Sequence, residues 1–178
     1  MATTYPEGVV HPYQELGYKT LPEEGVEIVI GMELKESASR GTRHPVQLVR
    51  TEHQRVFFNS AIDTADPHGQ MQPEELEEPA LGQYYVELDG QCVCTGKAIR
   101  PFETAVTVEP LATHPGYRRR GIATSLMNRI HSDAVSGNAR QSVIVASNMG
   151  VPLYLSLGYE VVSHIRKFVP EDWTRPAG

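Results

Sequence analysis

Apolar positions recur along this chain with two different periods, and the change of period separates strands from helices. Residues 104 to 113, Thr-Ala-Val-Thr-Val-Glu-Pro-Leu-Ala-Thr, are rich in β-branched side chains and predict a strand that Pro115-Gly116 ends. Ile122, Leu126 and Ile130, flanked by Ala123, Met127 and Ala134, then recur every three or four residues, which predicts an amphipathic helix. Gln141 to Ala146 is an apolar run of strand length. Ser147-Asn148 after it reads as a helix N-cap pair, Met149 to Leu157 as a short helix closed by Gly158, and a last strand runs through Phe168.

Upstream the pattern decides less. Tyr84 to Leu88, the turn Asp89-Gly90 and Gln91 to Thr95 predict a β-hairpin. Gly25 to Leu34 is apolar enough to be a strand or a buried helix. Val46 to Arg50 and Val56 to Ile62 read as two strands or as one helix broken near His53. Residues 63 to 82 are acidic and punctuated by proline, so they predict a connection with at most a short helix between Pro73 and Leu81.

Composition narrows the class without naming a chemistry. A chain of 178 residues with 40% hydrophobic content can bury a sizeable core without staples. No apolar run approaches the ~20 residues that span a bilayer, and the first residues are neither basic nor apolar, so a cytoplasmic protein is expected. A net charge of −6 weighs against nucleic acid as a partner. Cys92 and Cys94 are two apart in an expected strand, where their side chains would point the same way with the backbone too stretched for an easy disulfide. They read as small core residues. The alternative, half of a metal site, lacks a second pair at ligand spacing, so no metal is expected.

The chemistry begins at the junction between the predicted strand and helix. His114-Pro-Gly-Tyr-Arg118-Arg119-Arg120-Gly121 joins them, and the first turn of the helix exposes N–H groups and a partial positive charge that attract anions. Gly121 permits close approach, Ala123 adds little bulk, and three arginines supply full charges. The alternative is a solvated helix start. Basic residues there oppose the macrodipole, however, so without an anion the triplet would be a local conflict. A phosphate-bearing ligand is the expectation.

Arg118-x-x-Gly121-x-Ala123 resembles the Q/R-x-x-G-x-G/A pattern of the GNAT acyltransferase superfamily, and Tyr154-Leu-Ser-Leu-Gly158-Tyr159 resembles its L-Y-x-x-L-G-F segment. The resemblance covers residues 83 to 169, an acyl-CoA-binding core; residues 1 to 82 form a divergent N-terminal portion of what is expected to be a single domain, 1 to 178. It implies an α/β (α+β) fold with a twisted, mostly antiparallel mixed sheet flanked by helices on both faces. It implies acetyl-CoA or another acyl-CoA as co-substrate, its pyrophosphate at Arg118, Arg119, Arg120, Gly121, Ile122, Ala123 and Thr124. Its pantetheine would lie along Leu111, Ala112 and Thr113. The family's frequent Asn falls on Ser147 or Asn148.

Two residues are candidates for catalysis. Proline cannot donate to a ladder, so Pro110 implies a bulge or a splayed edge in its strand, or simply an early end to it. Beside it, Glu109 shares a face with Leu111 and Thr113 by strand alternation, in a region that looks too apolar for an unpaired carboxylate. With a raised pKa it could take a proton from an attacking ammonium group; a salt-bridged carboxylate, or one that only binds a cationic substrate, stays open. The resemblance implies that Glu109 is the base, that the Leu111 N–H faces the thioester oxygen, and that Tyr154 donates a proton to the departing thiolate. Without it Tyr154 reads as a half-buried aromatic.

The implied function is acyl transfer to a small-molecule amine by direct attack in a ternary complex. A carrier-protein-bound donor and a non-catalytic acyl-CoA sensor remain as alternatives. A homodimer and an acyl carrier protein remain open as partners, nucleic acid and membrane are not expected, and the identity of the acceptor is beyond the sequence.

Overall fold

The computed structural model describes residues 10–20, 26–35, 41–62 and 70–174. In chain order they form α1 (Val10–Glu15), β1 (Tyr18–Thr20), β2 (Val26–Glu33), β3 (Gln47–Leu48), α2 (Glu52–Asn59), β4 (Leu81–Leu88), β5 (Gln91–Phe102) and β6 (Ala105–Thr113). Then follow α3 (Ile122–Ser136), β7 (Gln141–Ala146), α4 (Val151–Leu157), β8 (Glu160–Arg166) and β9 (Phe168–Pro170). Seven strands form one sheet in the order β3-β4-β5-β6-β7-β2-β8, and β1 pairs with β9 in a separate ribbon. Only β6 and β7 run parallel; every other neighbouring pair is antiparallel.

Helices cover both faces, as expected. One face carries the main core, where Val86, Val106, Val108 and Ile144 meet Ile122, Leu126, Met127 and Ile130 of α3 and Tyr154 and Leu157 of α4. These α3 positions are the predicted stripe. The other face carries a smaller cluster of Val49, Phe58 of α2, Met71, Tyr85 and Cys92. Tyr84 and Tyr85 go to opposite clusters, as successive strand residues must.

The undecided segments now resolve. Residues 26–33 are a strand, placed between β7 and β8. Gln47–Leu48 is a strand and Glu52–Asn59 a helix, because the Thr51 side chain accepts from the Gln54 N–H while the Gln54 side chain accepts from the Arg50 N–H. Between Pro73 and Leu81 there is only a 3₁₀ turn, Pro73–Leu76; residues 63–69 of the acidic connection lie outside the described residues. The last strand divides in two, since β9 leaves β2 for β1.

Two expectations fail for local reasons. Cys92 and Cys94 do not share a face: a bulge in the β4–β5 pairing sets Val86 opposite Cys94 and Glu87 opposite Cys92, so Val93 is the extra residue. Cys92 joins the smaller cluster and Cys94 the main core. Both are free thiols, pushed up chiefly by burial to about 12 and about 11. The second failure is the Ser147-Asn148 cap. The Ser147 backbone carbonyl, not its side chain, accepts the Gly150 and Val151 N–H groups, so α4 begins at Val151 with Gly150 as its N-cap. Gly158 ends it at φ 101°, as expected.

A buried polar chain ties α3 to β7 and to the start of β8. The Tyr159 hydroxyl lies 2.8 Å from His131 Nε2 and 2.6 Å from Ser142 Oγ. Burial lowers the His131 pKa from 6.5 to about 4, so the folded protein holds this ring neutral. The unfolded chain binds a proton there between those values, so the stability is present above pH 6.5 and is lost as pH falls toward about 4. Replacement His131→Gln keeps a donor and an acceptor without the titration. Urea unfolding across that window should show the parent losing as much as about 3 kcal/mol more than the variant.

Candidate functional site

The site is built where β6 and β7 part. Their parallel pairing covers only Ala105 opposite Gln141 and Val106 opposite Ser142; beyond that the strands diverge, each keeping its antiparallel neighbour on the far side. The expected irregularity at Pro110 is a bulge. Gly96 stands opposite Leu111 but Ala98 opposite Val108, so Glu109-Pro110, joined by a cis peptide bond, places one residue too many on β6.

The bulge changes which face Glu109 takes. Val108 is buried and Leu111 packs against the same core, so Glu109 and Pro110 are turned outward between them. Glu109 therefore does not share the Leu111 face, and it stands exposed rather than in an apolar setting. The insertion of one residue breaks the alternation from which the opposite was expected.

Beyond the bulge the ladder decides which backbone groups are free. His114 donates its N–H to Val93 O at 2.9 Å, toward β5. Successive peptide groups of a strand point to opposite edges, so Ala112 also faces β5 while the Leu111 and Thr113 N–H and C=O groups face the opening. The Thr113 carbonyl confirms the direction by accepting from Arg118 Nε at 3.1 Å. The opening is thus lined by backbone donors and acceptors.

At the same end of the sheet lies the turn into α3. His114 Nδ1 accepts from the Gly116 N–H, Arg120 Nη2 donates to Gly116 O at 3.0 Å, and the Arg120 guanidinium stacks over the Tyr117 ring at 5.1 Å. Arg118 and Arg120 thus brace the turn. Arg119, exposed at φ 62°, has no hydrogen-bond or ion-pair partner among the described residues. Gly121 is the N-cap of α3 at φ 77°, and no side chain among the described residues caps the helix. The N–H groups of Ile122, Ala123 and Thr124 therefore have neither an intrahelical acceptor nor a cap, as an anion site requires.

The far lip is the turn after β7. Ser147 and Asn148 are exposed there, and α4 follows with Tyr154 only 6% exposed. The Tyr154 ring meets Tyr159 edge to face, centroids 5.6 Å apart, and a Cβ at Gly150 would lie 3.2 Å from its Cε2. Burial first, and the nearby Glu109 charge second, push the Tyr154 phenol up to about 12. The Glu109 charge is thus felt at the Tyr154 hydroxyl.

One contributor had no signal in its own segment. Arg43 and His44 lie along α3: both backbone N–H groups donate to Ser125 Oγ, at 3.1 and 3.2 Å, and His44 Nε2 lies 3.0 Å from the Arg120 carbonyl oxygen. The hint available in the sequence was Ser125, a polar residue within the apolar stripe of α3 and 2% exposed.

Residues 80–161 match a family described as an acetyltransferase (GNAT) domain. Among solved structures, the fold resembles a GCN5-related N-acetyltransferase from Kribbella flavida at TM-score 0.68 and 16% identity, over 94% of this chain and 65% of that one. A GCN5-related N-acetyltransferase-like protein from Streptococcus suis aligns at TM-score 0.65 and 12% identity, over 91% of this chain and 67% of that one. Aminoglycoside N-acetyltransferase AAC(6')-Iy, solved in complex with CoA, aligns at TM-score 0.55 and 17% identity, over 70% of this chain and 92% of that one. At these identities the likeness is one of fold, and the chain spans only 65% of the Kribbella protein's length. No curated protein matches the sequence significantly.

Among the described residues a Cβ at Gly121 would meet nothing within 4 Å, so its left-handed backbone is what resists substitution there. Replacement Gly121→Ala should therefore lower the unfolding free energy by about 1–2 kcal/mol, and Gly121→Asn by less, because Asn tolerates that conformation better. Denaturant titration of both variants measures it.

Proposed function

We propose that this chain, whose residues 80–161 match a GNAT acetyltransferase domain, moves an acetyl group from acetyl-CoA to a small-molecule amine within a ternary complex. The observation that carries the reading is the adjacency of two backbone devices at one end of the sheet. The parted β6 and β7 offer hydrogen-bonding groups to an extended acyl arm, and the uncapped start of α3 offers N–H groups to its pyrophosphate.

The donor's pyrophosphate would sit on the N–H groups of Gly121, Ile122, Ala123 and Thr124 with Arg119 beside it, while Arg118 and Arg120 keep the turn in shape. Its pantetheine would run along Leu111 to Thr113, with the backbone of Leu111 and Thr113 making the contacts and Ala112 held to β5. Ser147 and Asn148 would border it on the far lip. This arrangement brings the thioester carbonyl to the Leu111 N–H. A fixed donor there stabilises the oxyanion that forms on attack, and such stabilisation commonly contributes more to acyl transfer than any other single effect.

The acceptor arrives as an ammonium ion and must lose a proton before its nitrogen can attack. Glu109 takes that proton. Being exposed at the bulge, it can act through a water molecule as readily as by contact. The new N–C bond forms, the C–S bond breaks, and the leaving sulfur takes a proton or a hydrogen bond from the Tyr154 hydroxyl. A phenol raised to about 12 is fully protonated at neutral pH. It is also a weaker acid than a free tyrosine, and complete transfer to a thiolate of pKa ~8.5 is uphill, so hydrogen bonding is the larger share of its contribution. Neither cysteine falls in the two motifs, and Cys94, whose Sγ lies 3.3 Å from Thr113 Oγ1, is buried with its thiol pushed up to about 11, which favours direct attack.

Incubation with acetyl-CoA and a mixed amine pool, followed by mass spectrometry, tests the reading through the release of free thiol and an acetylated amine. Two variants assign the parts. Gly121→Glu puts a carboxylate where the pyrophosphate should bind and should abolish CoA binding by calorimetry in a protein that still folds. Tyr154→Phe should leave CoA affinity intact and lower kcat by about 10²-fold, the low end for general acid catalysis. The loss should shrink with acyl donors whose thiols are more acidic. A ratio independent of thiol pKa would return Tyr154 to a packing role.

A further inference from the structure

We propose that His44 is a positioning residue that sets the direction of the Gly121 N–H in the anion cradle, an inference that rests on the acyl-CoA reading above. A carbonyl oxygen can only accept, so the 3.0 Å contact between His44 Nε2 and the Arg120 oxygen means that the ring nitrogen carries the hydrogen. The Arg120 C=O and the Gly121 N–H belong to one trans peptide, in which the two bonds point in opposite directions. Holding the carbonyl against His44 therefore aims the Gly121 N–H away from His44, out of the turn.

The peptide needs such a hold. It lies in a turn with positive φ at Arg119, 62°, and at Gly121, 77°, and glycine resists rotation of its peptide less than any other residue. Rotation by half a turn would put the Arg120 carbonyl where the donor's pyrophosphate binds, replacing an attraction by a repulsion. No other hydrogen bond to the Arg120 carbonyl occurs among the described residues. The segment that carries His44 is itself fixed, because Ser125 Oγ accepts the Arg43 and His44 N–H groups from within α3, and Arg129 Nη1 donates to Val46 O at 3.3 Å one turn further along. The clamp and the cradle thus share one helix as their base.

The test measures CoA and pantetheine affinities by calorimetry or amide-shift titration in the parent, His44→Ala and His44→Gln. Pantetheine has the same arm without the pyrophosphate. His44→Ala should weaken CoA by roughly tenfold while pantetheine moves by less than about twofold, and His44→Gln, which still offers an N–H, should recover most of the loss. Unchanged CoA affinity in His44→Ala overturns the clamp alone. So does a parallel loss of CoA and pantetheine, which is what simple loosening of the fold would give. A parent that binds no CoA overturns the acyl-CoA reading and the clamp with it, so the two failures are distinguishable.

Discussion

A parallel pair of strands that stops pairing after two residues is the constraint on which the site depends. Each residue beyond that point leaves N–H and C=O groups without a ladder partner, and inside a protein such groups must find another. Here β6 stays bonded to β5 and β7 to β2, so each strand is satisfied on one side only. The cleft between them is polar because of its backbone rather than its side chains. Leu111, Ala112 and Thr113 carry no charge, and substitution among small or apolar residues there would leave its polarity intact.

The second requirement is that the start of α3 stay in register with that cleft, and packing secures it. Ile122, the first helical residue, is 1% exposed, and Leu126 is 0% exposed, so the core holds the helix up to its first turn. The approach is close: a Cβ on Gly96 of β5 would come within 2.7 Å of Leu126 Cδ2. Burying side chains of this size stabilises by about 1.5–3 kcal/mol each, more than one uncapped helix end costs. The terminus can thus remain without a cap.

What the sequence revealed follows from the range of the forces involved. The stripe of α3, the β4–β5 hairpin with Asp89-Gly90, and strands β6 and β7 are written in local periodicity and turn chemistry, and they appeared where expected. So did an irregularity at Pro110, since proline announces its missing donor. Its detail escaped, because alternation places Glu109 beside Leu111 only if no residue is inserted between them. The bulge at Val93 misled in the same way for the two cysteines. The helix at Glu52–Asn59 was legible after all in Thr51-x-x-Gln54, a capping pair that outweighs an ambiguous apolar pattern. Arg43 and His44 lay out of reach, for they act on residues more than seventy positions downstream and their own neighbours carry no sign of it.

The placement of β2 has a consequence for the nascent chain. This strand, Val-Glu-Ile-Val-Ile-Gly-Met-Glu, is made well before either of its neighbours, β7 and β8, yet it belongs between them. Until residues 141 to 166 emerge, both of its edges lack their native partners. A short, apolar, β-branched segment in that condition is prone to pair with other chains. The hairpin and the first turns of α3 can form without it, but the sheet beyond β7 cannot. Completing the sheet of this chain therefore requires a long-range closure that recruits an early strand late, and closures of that kind are slow.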